Sequence, residues 1–236
     1  MEVTALNETA KIISQAQKEG RKALLEPEAG AICVEYGIPV VKFKLAKTAR
    51  EAAEFAKQLG YPVVLKIVSP DIIHKSDAGG VMLNLKSKTA VQNAYGKILE
   101  NAEKFKATAK IAGILVEEMA QKSTEVIVGA VKDPQFGQTL MFGLGGVFVE
   151  ILKDVAFRIA PITRADAEEM VKEIKAYPLL KGYRNTPPAD IEAIISILLN
   201  TSRLVMDYPQ IKELDLNPVM AYEKGAKTVD ARIILE

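Results

Sequence analysis

Val63-Val64-Leu65-Lys66-Ile67-Val68, followed at once by Ser69-Pro70-Asp71-Ile72-Ile73-His74-Lys75-Ser76-Asp77-Ala78-Gly79-Gly80, decides how the rest of the chain is read. The first six residues are an almost continuous β-branched run, the pattern of a buried strand. Lys66 is its only charge. Burying an unpaired ammonium is costly, so two readings stand side by side: an edge strand whose lysine snorkels to water, or a lysine held inside to meet an anion. The loop behind it carries the one histidine of the chain and ends in Ala78-Gly79-Gly80, a turn where backbone amides can approach an anion. A lone loop histidine usually signals nothing. Beside a phosphate lysine it acquires a chemistry, because a neutral imidazole attacks phosphoryl groups once a carboxylate or carbonyl fixes its tautomer.

Outward from this stretch, helix and strand periods alternate. Leu6 to Ala23 and Pro27 to Tyr36 read as helices, the second ended by Gly37 and Pro39, and Val40 to Leu45 reads as a strand. Thr48-Ala49-Arg50-Glu51 has the form of a capping box, opening a helix that Gly60 closes. Val81 to Leu85 is a further strand and Thr89 to Phe105 a helix. From Ile111 strand signals cluster: Ile111 to Met119, Glu125 to Val131, Thr139 to Phe142 and Val149 to Ile159, with a turn at Asp133-Pro134-Gln135-Phe136-Gly137. Helices at Arg164 to Ala176 and Pro188 to Met206 precede two closing strands. This order predicts an α/β (α+β) fold with hairpins rather than a purely parallel sheet. It predicts a first lobe over 1–110, holding Lys66 and the His74 loop, and a second over 111–236.

Composition narrows the partners. The 236 residues suit one large domain or two small ones, and 49% apolar with 26% charged residues is ordinary globular composition. A net charge of +1 supplies no field for a nucleic-acid backbone or an anionic membrane. Cys33 is the single cysteine, which excludes an internal disulfide, a CxxC pair and a thiolate cluster. Within Ala31-Ile32-Cys33-Val34 it reads as a small buried hydrophobe. The amino terminus, MEVTALNETAKIISQ, lacks the basic-then-apolar form of a signal peptide. The longest apolar stretch, Ile191 to Leu199, is interrupted by Glu192 and Ser196 and falls short of the roughly 18 residues of a spanning helix. A reducing, cytoplasmic setting is expected.

Two further segments bear on chemistry. Phe142-Gly143-Leu144-Gly145-Gly146-Val147 fits neither nucleotide fingerprint: Phe148 stands where GxGxxG needs its third glycine, and no GxxxxGK[ST] occurs. It is equally a strand-joining turn or a phosphate flap. Near the carboxy terminus, Glu213-Leu214-Asp215-Leu216-Asn217-Pro218 and Thr228-Val229-Asp230-Ala231-Arg232-Ile233 both alternate strictly. If a hairpin pairs Tyr222 with Gly225, Asn217 falls opposite Asp230 and Asp215 opposite Arg232. An Asn and Asp oxygen pair at a sheet end suits Mg²⁺, which keeps water and substrate phosphates as its remaining ligands. A solvated hairpin face is the plain alternative.

Taken together, EYGIPV, VVLKI, SPDIIHKSDAGGV, LVEEM with Glu125, GLGGVFVE with Arg158, and ELDLNPV with VDAR make the chain resemble the β subunit of ADP-forming acetyl-CoA synthetases. These are ATP-grasp proteins related to the succinyl-CoA synthetase β subunit. The resemblance runs from about Leu25 to Glu236 and implies an ATP-grasp fold of two lobes with nucleotide bound between them. It implies that Lys66 contacts the α and β phosphates of ATP or ADP, that Glu117, Glu118 and Met119 bind adenine through their backbone, and that Glu125 holds the ribose. It further implies Mg²⁺ on Asn217 and Asp230, Arg158 at the γ-phosphate, His74 as a phosphorylated histidine and Asp215 as its steadying carboxylate. Succinyl-CoA synthetases have a glycine-rich stretch where this chain has His74, which favours the acetyl-CoA branch. The implied partner is an α subunit carrying the CoA-binding and acyl-CoA domains, in an α2β2 assembly. Two other functions fit parts of the pattern: a stand-alone ATP-grasp carboxylate ligase working through an acyl-phosphate, which needs no His74, and a non-catalytic nucleotide-binding subunit.

Overall fold

A computed structural model describes residues 8–146, 153–184 and 186–236. Among them are seven helices: α1 (Glu8–Lys18), α2 (Glu26–Glu35), α3 (Ala49–Leu59), α4 (Lys88–Phe105), α5 (Arg164–Glu173), α6 (Tyr177–Leu180) and α7 (Ile191–Asp207). The strands are β1 (Phe43–Ala46), β2 (Val63–Val68), β3 (Val81–Leu85), β4 (Gly113–Glu118), β5 (Thr124–Asp133), β6 (Gly137–Leu144), β7 (Val155–Ile159), β8 (Ile211–Ala221), β9 (Ala226–Thr228) and β10 (Ala231–Leu235). Every strand pairing is antiparallel. Val147 to Leu152, which include the start of the strand expected over Val149 to Ile159, lie outside the described residues.

The chain divides into two compact units, and the division differs from the expected boundary at 110/111. The smaller unit comprises Leu25–Pro27 and Val41–Ala120; the larger comprises Met1–Leu24, Glu28–Val40 and Gln121–Glu236. The reason is strand pairing. β4 lies inside the first sheet, in the order β1-β4-β2-β3, so residues past 110 are needed to complete it.

In the smaller unit, β2 and β4 send Val63, Leu65, Ile67, Ile114 and Val116 to one face, where Ala52, Ala56, Val91 and Ile98 of α3 and α4 cover them. Burying each such aliphatic side chain contributes about 1.5 to 3 kcal/mol. Thr48 caps α3 by accepting from Glu51 N–H, while the Glu51 carboxylate accepts from Lys47 N–H rather than closing the expected box on Thr48. Ser87 caps α4.

In the larger unit the sheet order is β10-β8-β5-β6-β7, with β9 paired to β8. Val128, Ala130, Leu140, Phe142, Leu214, Leu216 and Ile233 face a core shared with Met170, Val171, Ile194 and Leu198 of α5 and α7. Cys33 is buried there, and loss of solvation pushes its thiol up to about 12, so it is no nucleophile. The short helix α6 carried no sequence signal that set it apart from the loop around Pro178.

Asp190 joins two elements of this unit. Its side chain accepts from Ala193 N–H at 3.0 Å, capping α7, and from Gly225 N–H at 2.7 Å, gripping the tip of the closing hairpin. The hydrogen bond from Gly225, then that from Ala193, holds its carboxyl below the usual range. A lowered folded-state pKa stabilises above the unfolded pKa and ceases to do so as pH falls through the folded value. Asp190→Ala should therefore cost about 0.5 to 2 kcal/mol at neutral pH. Denaturant titrations of both proteins should show the gap closing once pH falls below the ordinary carboxylate range.

Candidate active site

Lys66 lies on β2, an interior strand, which removes the edge-strand alternative. Its ladder partners are Leu115 and Val81, so it points to the sheet face opposite α3 and α4. At 5% exposure it is buried, and carboxylates pair with it: Glu26 at 2.7 Å and Glu117 at 2.8 Å. Glu26 also binds Lys75 at 2.5 Å. Among the described residues two lysines and two glutamates thus gather in the smaller unit. The sequence reading missed Glu26 and Lys75; the only available signal was that a buried lysine demands carboxylates, with nothing to say which.

Glu117, Glu118 and Met119 close β4 and the residue beyond it. Glu117 contributes its side chain to the lysine cluster rather than only its backbone. The Glu118 N–H bonds to Lys42 O at 2.9 Å and the Met119 N–H to Pro62 O at 3.3 Å. Both amides already have acceptors, and the second bond is long.

His74 stands exposed in a turn pinned on both sides. Before it, the Asp71 carboxylate accepts from Lys110 N–H at 2.7 Å and Ile72 is buried. After it, Gly80 N–H bonds to Lys75 O, Ile67 N–H to Gly80 O, and Asn101 donates to Gly79 O. The two glycines also have a packing role. A Cβ on Gly80 would come within 2.4 Å of the Ile67 side chain, and Gly79 has φ of +60°. They let the turn close onto β2.

In the larger unit the hairpin register is the expected one. Tyr222 N–H bonds to Gly225 O, Asn217 N–H to Asp230 O at 3.0 Å, and Asp215 lies opposite Arg232. Between Val126 and Val128 of β5, strand β8 inserts one extra residue at Asn217-Pro218, a bulge that admits a proline without a ladder donor. The bulge switches the inward set from Leu214 and Leu216 to Val219 and Ala221 and leaves Glu213, Asp215 and Asn217 on the face away from α5 and α7. Thr228 departs from the expected alternation: it is buried, and the ladder breaks between it and Ala231.

Ladder pairs place Asp215, Gly129, Met141 and Phe157 in one row across that open face. With Glu213 and Asn217 they line a pocket of about 300 Å³. Glu125 lies on the same face, four residues along β5 from Gly129. A pocket of about 340 Å³ beside it is lined by Gly145, Gly146, Leu179 and Tyr183. Gly145 donates to Glu125 O, and a Cβ on it would meet Glu125 Cβ at 3.0 Å, so the glycine-rich stretch packs directly on Glu125. At about 3.4 Å per residue, the order along the sheet is Glu125, then Asn217, then Asp215.

Burial raises the Asp215 pKa; Arg232 at 3.9 Å opposes the shift, and the Glu213 and Asp230 charges add to it. Asn217 and Asp230 supply one amide and one carboxylate oxygen on paired strands, a hard donor set that suits Mg²⁺ if phosphate oxygens complete the shell. Among the described residues no three His, Cys, Asp or Glu side chains gather into a metal site.

Arg158 does not join this face. It lies opposite Leu140, whose side chain is in the helix-covered core, and Glu173 of α5 holds it at 2.7 Å. The backbone position of Arg158 is on the sheet face opposite to that of Asp215. His74 and Lys66 belong to the smaller unit and Glu125, Asp215, Asn217 and Asp230 to the larger.

Residues 15–235 match the family described as the ATP-grasp domain. The chain belongs to the ATP-grasp family. It is 53% identical to the acetate–CoA ligase [ADP-forming] I subunit beta of Pyrococcus furiosus, over 95% of this chain and 96% of that one. The acetyl-coenzyme A synthetase 1 of Ca. Korarchaeum cryptofilum, solved with coenzyme A, Ca-AMPCP and HgCl+, superposes with a TM-score of 0.95 at 52% identity, covering 97% of this chain and 100% of that one. The same protein with coenzyme A and Mg-AMPPCP, its phosphohistidine segment pointing towards the nucleotide binding site, gives 0.86 at 50% identity, again covering 97% and 100%. No helix among the described residues is long and apolar enough to cross a membrane.

Removing one member of a buried ion cluster leaves an uncompensated charge, at about 3 to 5 kcal/mol. Lys66→Met should lower unfolding stability by that order, and adding Glu117→Leu should recover most of the loss. Equal denaturation midpoints for wild type and the single variant would show that the cluster contributes nothing to stability.

Proposed function

We propose that this chain is the nucleotide-binding β subunit of an ADP-forming acyl-CoA synthetase, with acetyl-CoA as the expected substrate class, converting acyl-CoA, ADP and phosphate to carboxylate, CoA and ATP. The observation that carries this is His74: the chain's single histidine, exposed on a turn pinned on both sides, one residue from a lysine that shares a carboxylate with Lys66. A binding-only subunit or a ligase working through an acyl-phosphate has no use for it.

The chemistry follows from the groups present. In the ATP-forming direction the phosphoryl group leaves a histidine nitrogen on the partner for the His74 imidazole, then passes to the terminal oxygen of ADP. Each transfer breaks one bond to phosphorus as another forms, and the imidazole ends neutral. Lys66 would neutralise phosphate charge, which asks one of its carboxylates to yield. Glu125 would hold the ribose, with adenine at Glu117, Glu118 and Met119. Asp215 would accept a hydrogen bond from the second ring nitrogen, keeping the attacking one unprotonated. Asn217 and Asp230 would bind Mg²⁺, which when present screens the polyphosphate. Phosphoryl transfer asks a protein for positioning and charge more than for covalent chemistry.

The name of the Pyrococcus relative as a subunit, and the coenzyme A in the Korarchaeum complexes, support a separate α subunit that binds CoA and acyl-CoA. An α2β2 assembly in the cytoplasm is the proposed form.

Asp230→Ala should weaken Mg-ATP binding at least about tenfold, the loss of roughly 1.5 kcal/mol expected for one charge-assisted contact; calorimetry at fixed Mg²⁺ reads it directly, and unchanged affinity would remove the metal assignment. With its α subunit the chain should incorporate acid-labile, alkali-stable phosphate from ATP, and His74→Asn should abolish both label and acyl-CoA turnover. Full turnover by that variant would make the acyl-phosphate ligase the better reading.

A further inference from the structure

Glu26 has no part in the chemistry assigned above, yet it touches both the phosphate lysine and the histidine turn. It opens α2 from Leu25–Pro27, the three-residue segment that belongs with the smaller unit. One carboxylate oxygen accepts from Lys66 Nζ at 2.7 Å and the other from Lys75 Nζ at 2.5 Å. The pairs are sheltered, with side-chain exposures of 6% for Lys66, 10% for Glu26 and 19% for Lys75, so water competes poorly for either bond. A carboxylate is rigid and planar. Its two oxygens therefore hold the two ammonium groups at a fixed spacing.

Each lysine is in turn fixed to something that matters. Lys66 is an interior residue of the sheet through its pairing with Leu115 and Val81. Lys75 follows His74 directly, and its carbonyl accepts from Gly80 N–H at 2.8 Å, closing the turn. A shift of the Lys75 stem shifts the His74 backbone with it. On the other side the Asp71 bond to Lys110 N–H and the buried Ile72 fix the entry to the turn.

We infer that Glu26 is a positioning residue for phosphoryl transfer: through Lys75 it ties the stem of the His74 turn to the lysine that holds the nucleotide phosphates. The inference rests on the phosphohistidine role proposed for His74 and deepens it. It also makes an unusual prediction of sign. Neutralising Glu26 removes one negative charge beside Lys66 and Lys75, and so makes the cluster one unit more positive toward an anionic ligand. Glu26→Gln should bind Mg-ATP more tightly than wild type while transferring phosphate more slowly. A residue that merely supports the fold would weaken both.

The test uses the complex with the α subunit. Glu26→Gln and Lys75→Met should each slow ATP-dependent labelling of His74 at least about tenfold, since misplacing a reacting group by about 1 Å costs up to about 100-fold. Mg-ATP affinity by calorimetry should rise in Glu26→Gln. The double variant should be no slower than the slower single, because both cut one link. Amide exchange over residues 73–80 should quicken in all three. Wild-type labelling rates in the folded single variants, or losses that multiply in the double, would overturn the inference. So would nucleotide binding weakened about tenfold in Glu26→Gln, which would make Glu26 part of the nucleotide pocket. If Glu26→Gln does not fold, Lys75→Met decides alone through labelling and exchange. If the wild-type complex takes no label, the phosphohistidine role falls, and exchange decides whether the Glu26–Lys75 link holds the turn; unchanged exchange in Lys75→Met would remove it too.

Discussion

The smaller unit is organised around one constraint: an ammonium group inside a sheet must be neutralised. Lys66 occupies an interior strand where its neighbours are Val, Leu and Ile, and an unpaired charge there would cost several kcal/mol. Satisfying it brings Glu117 from the adjacent strand and Glu26 from a segment forty residues earlier. Glu26 in turn recruits Lys75. The charge that the sheet must tolerate therefore fixes the start of α2, the end of β4 and the stem of the histidine turn together. Such a cluster is weak evidence for stability, because well-packed apolar residues would often serve as well. Its retention makes sense when the lysine has a second, anionic ligand to meet.

The larger unit solves a different problem, placing oxygen ligands in a row on an open sheet face. Strict alternation does this for Glu213 and Asp215, but alternation alone would put the rest of β8 out of phase with its core. The bulge at Asn217-Pro218 restores Val219 and Ala221 to the core, and the break between Thr228 and Ala231 makes the matching correction on the partner strand. Asp190 then clamps the hairpin tip to α7. The pair Asn217 and Asp230 sits where both strands change phase.

Much of this was legible in the residues. The β-branched run around Lys66, the helices ended by glycine, and the hairpin register could be read because each is a local pattern with a fixed period. What could not be read was long-range. Nothing in the sequence says that β4 completes the first sheet rather than beginning the second lobe, since that depends on which strand finds which edge. Glu26 and Lys75 were invisible for the same reason: ion pairs forty-nine residues apart leave no spacing signal. The face on which Arg158 lies was hidden for a simpler one. A family resemblance transfers a role to a position, but a strand position has two faces, and the pairing with Leu140 puts this one on the helix side.

The phosphoryl-carrying role proposed for His74 makes opposing demands on the turn of residues 69–80. Transfer needs a defined approach, and fixing a loose loop at the moment of reaction would cost about 1 to 2 kcal/mol per residue in backbone entropy. Here much of that ordering is already in place, through the Asp71 bond, the Lys75 pair, the Gly80 closure and the buried Ile72 and Ala78. Departure needs those contacts to break, yet each hydrogen bond contributes only about 0.5 to 1.5 kcal/mol net. Local openings of a few kcal/mol are routine for folded proteins, and loop motions of this kind run on the microsecond to millisecond scale. In the proposed role the contact most responsive to the reaction would be Glu26, because phosphate arriving at Lys66 would compete for the same ammonium. Ligand and turn would then draw on one cluster of charge, and on the proposed reading occupancy of the nucleotide site would set how firmly the histidine is held.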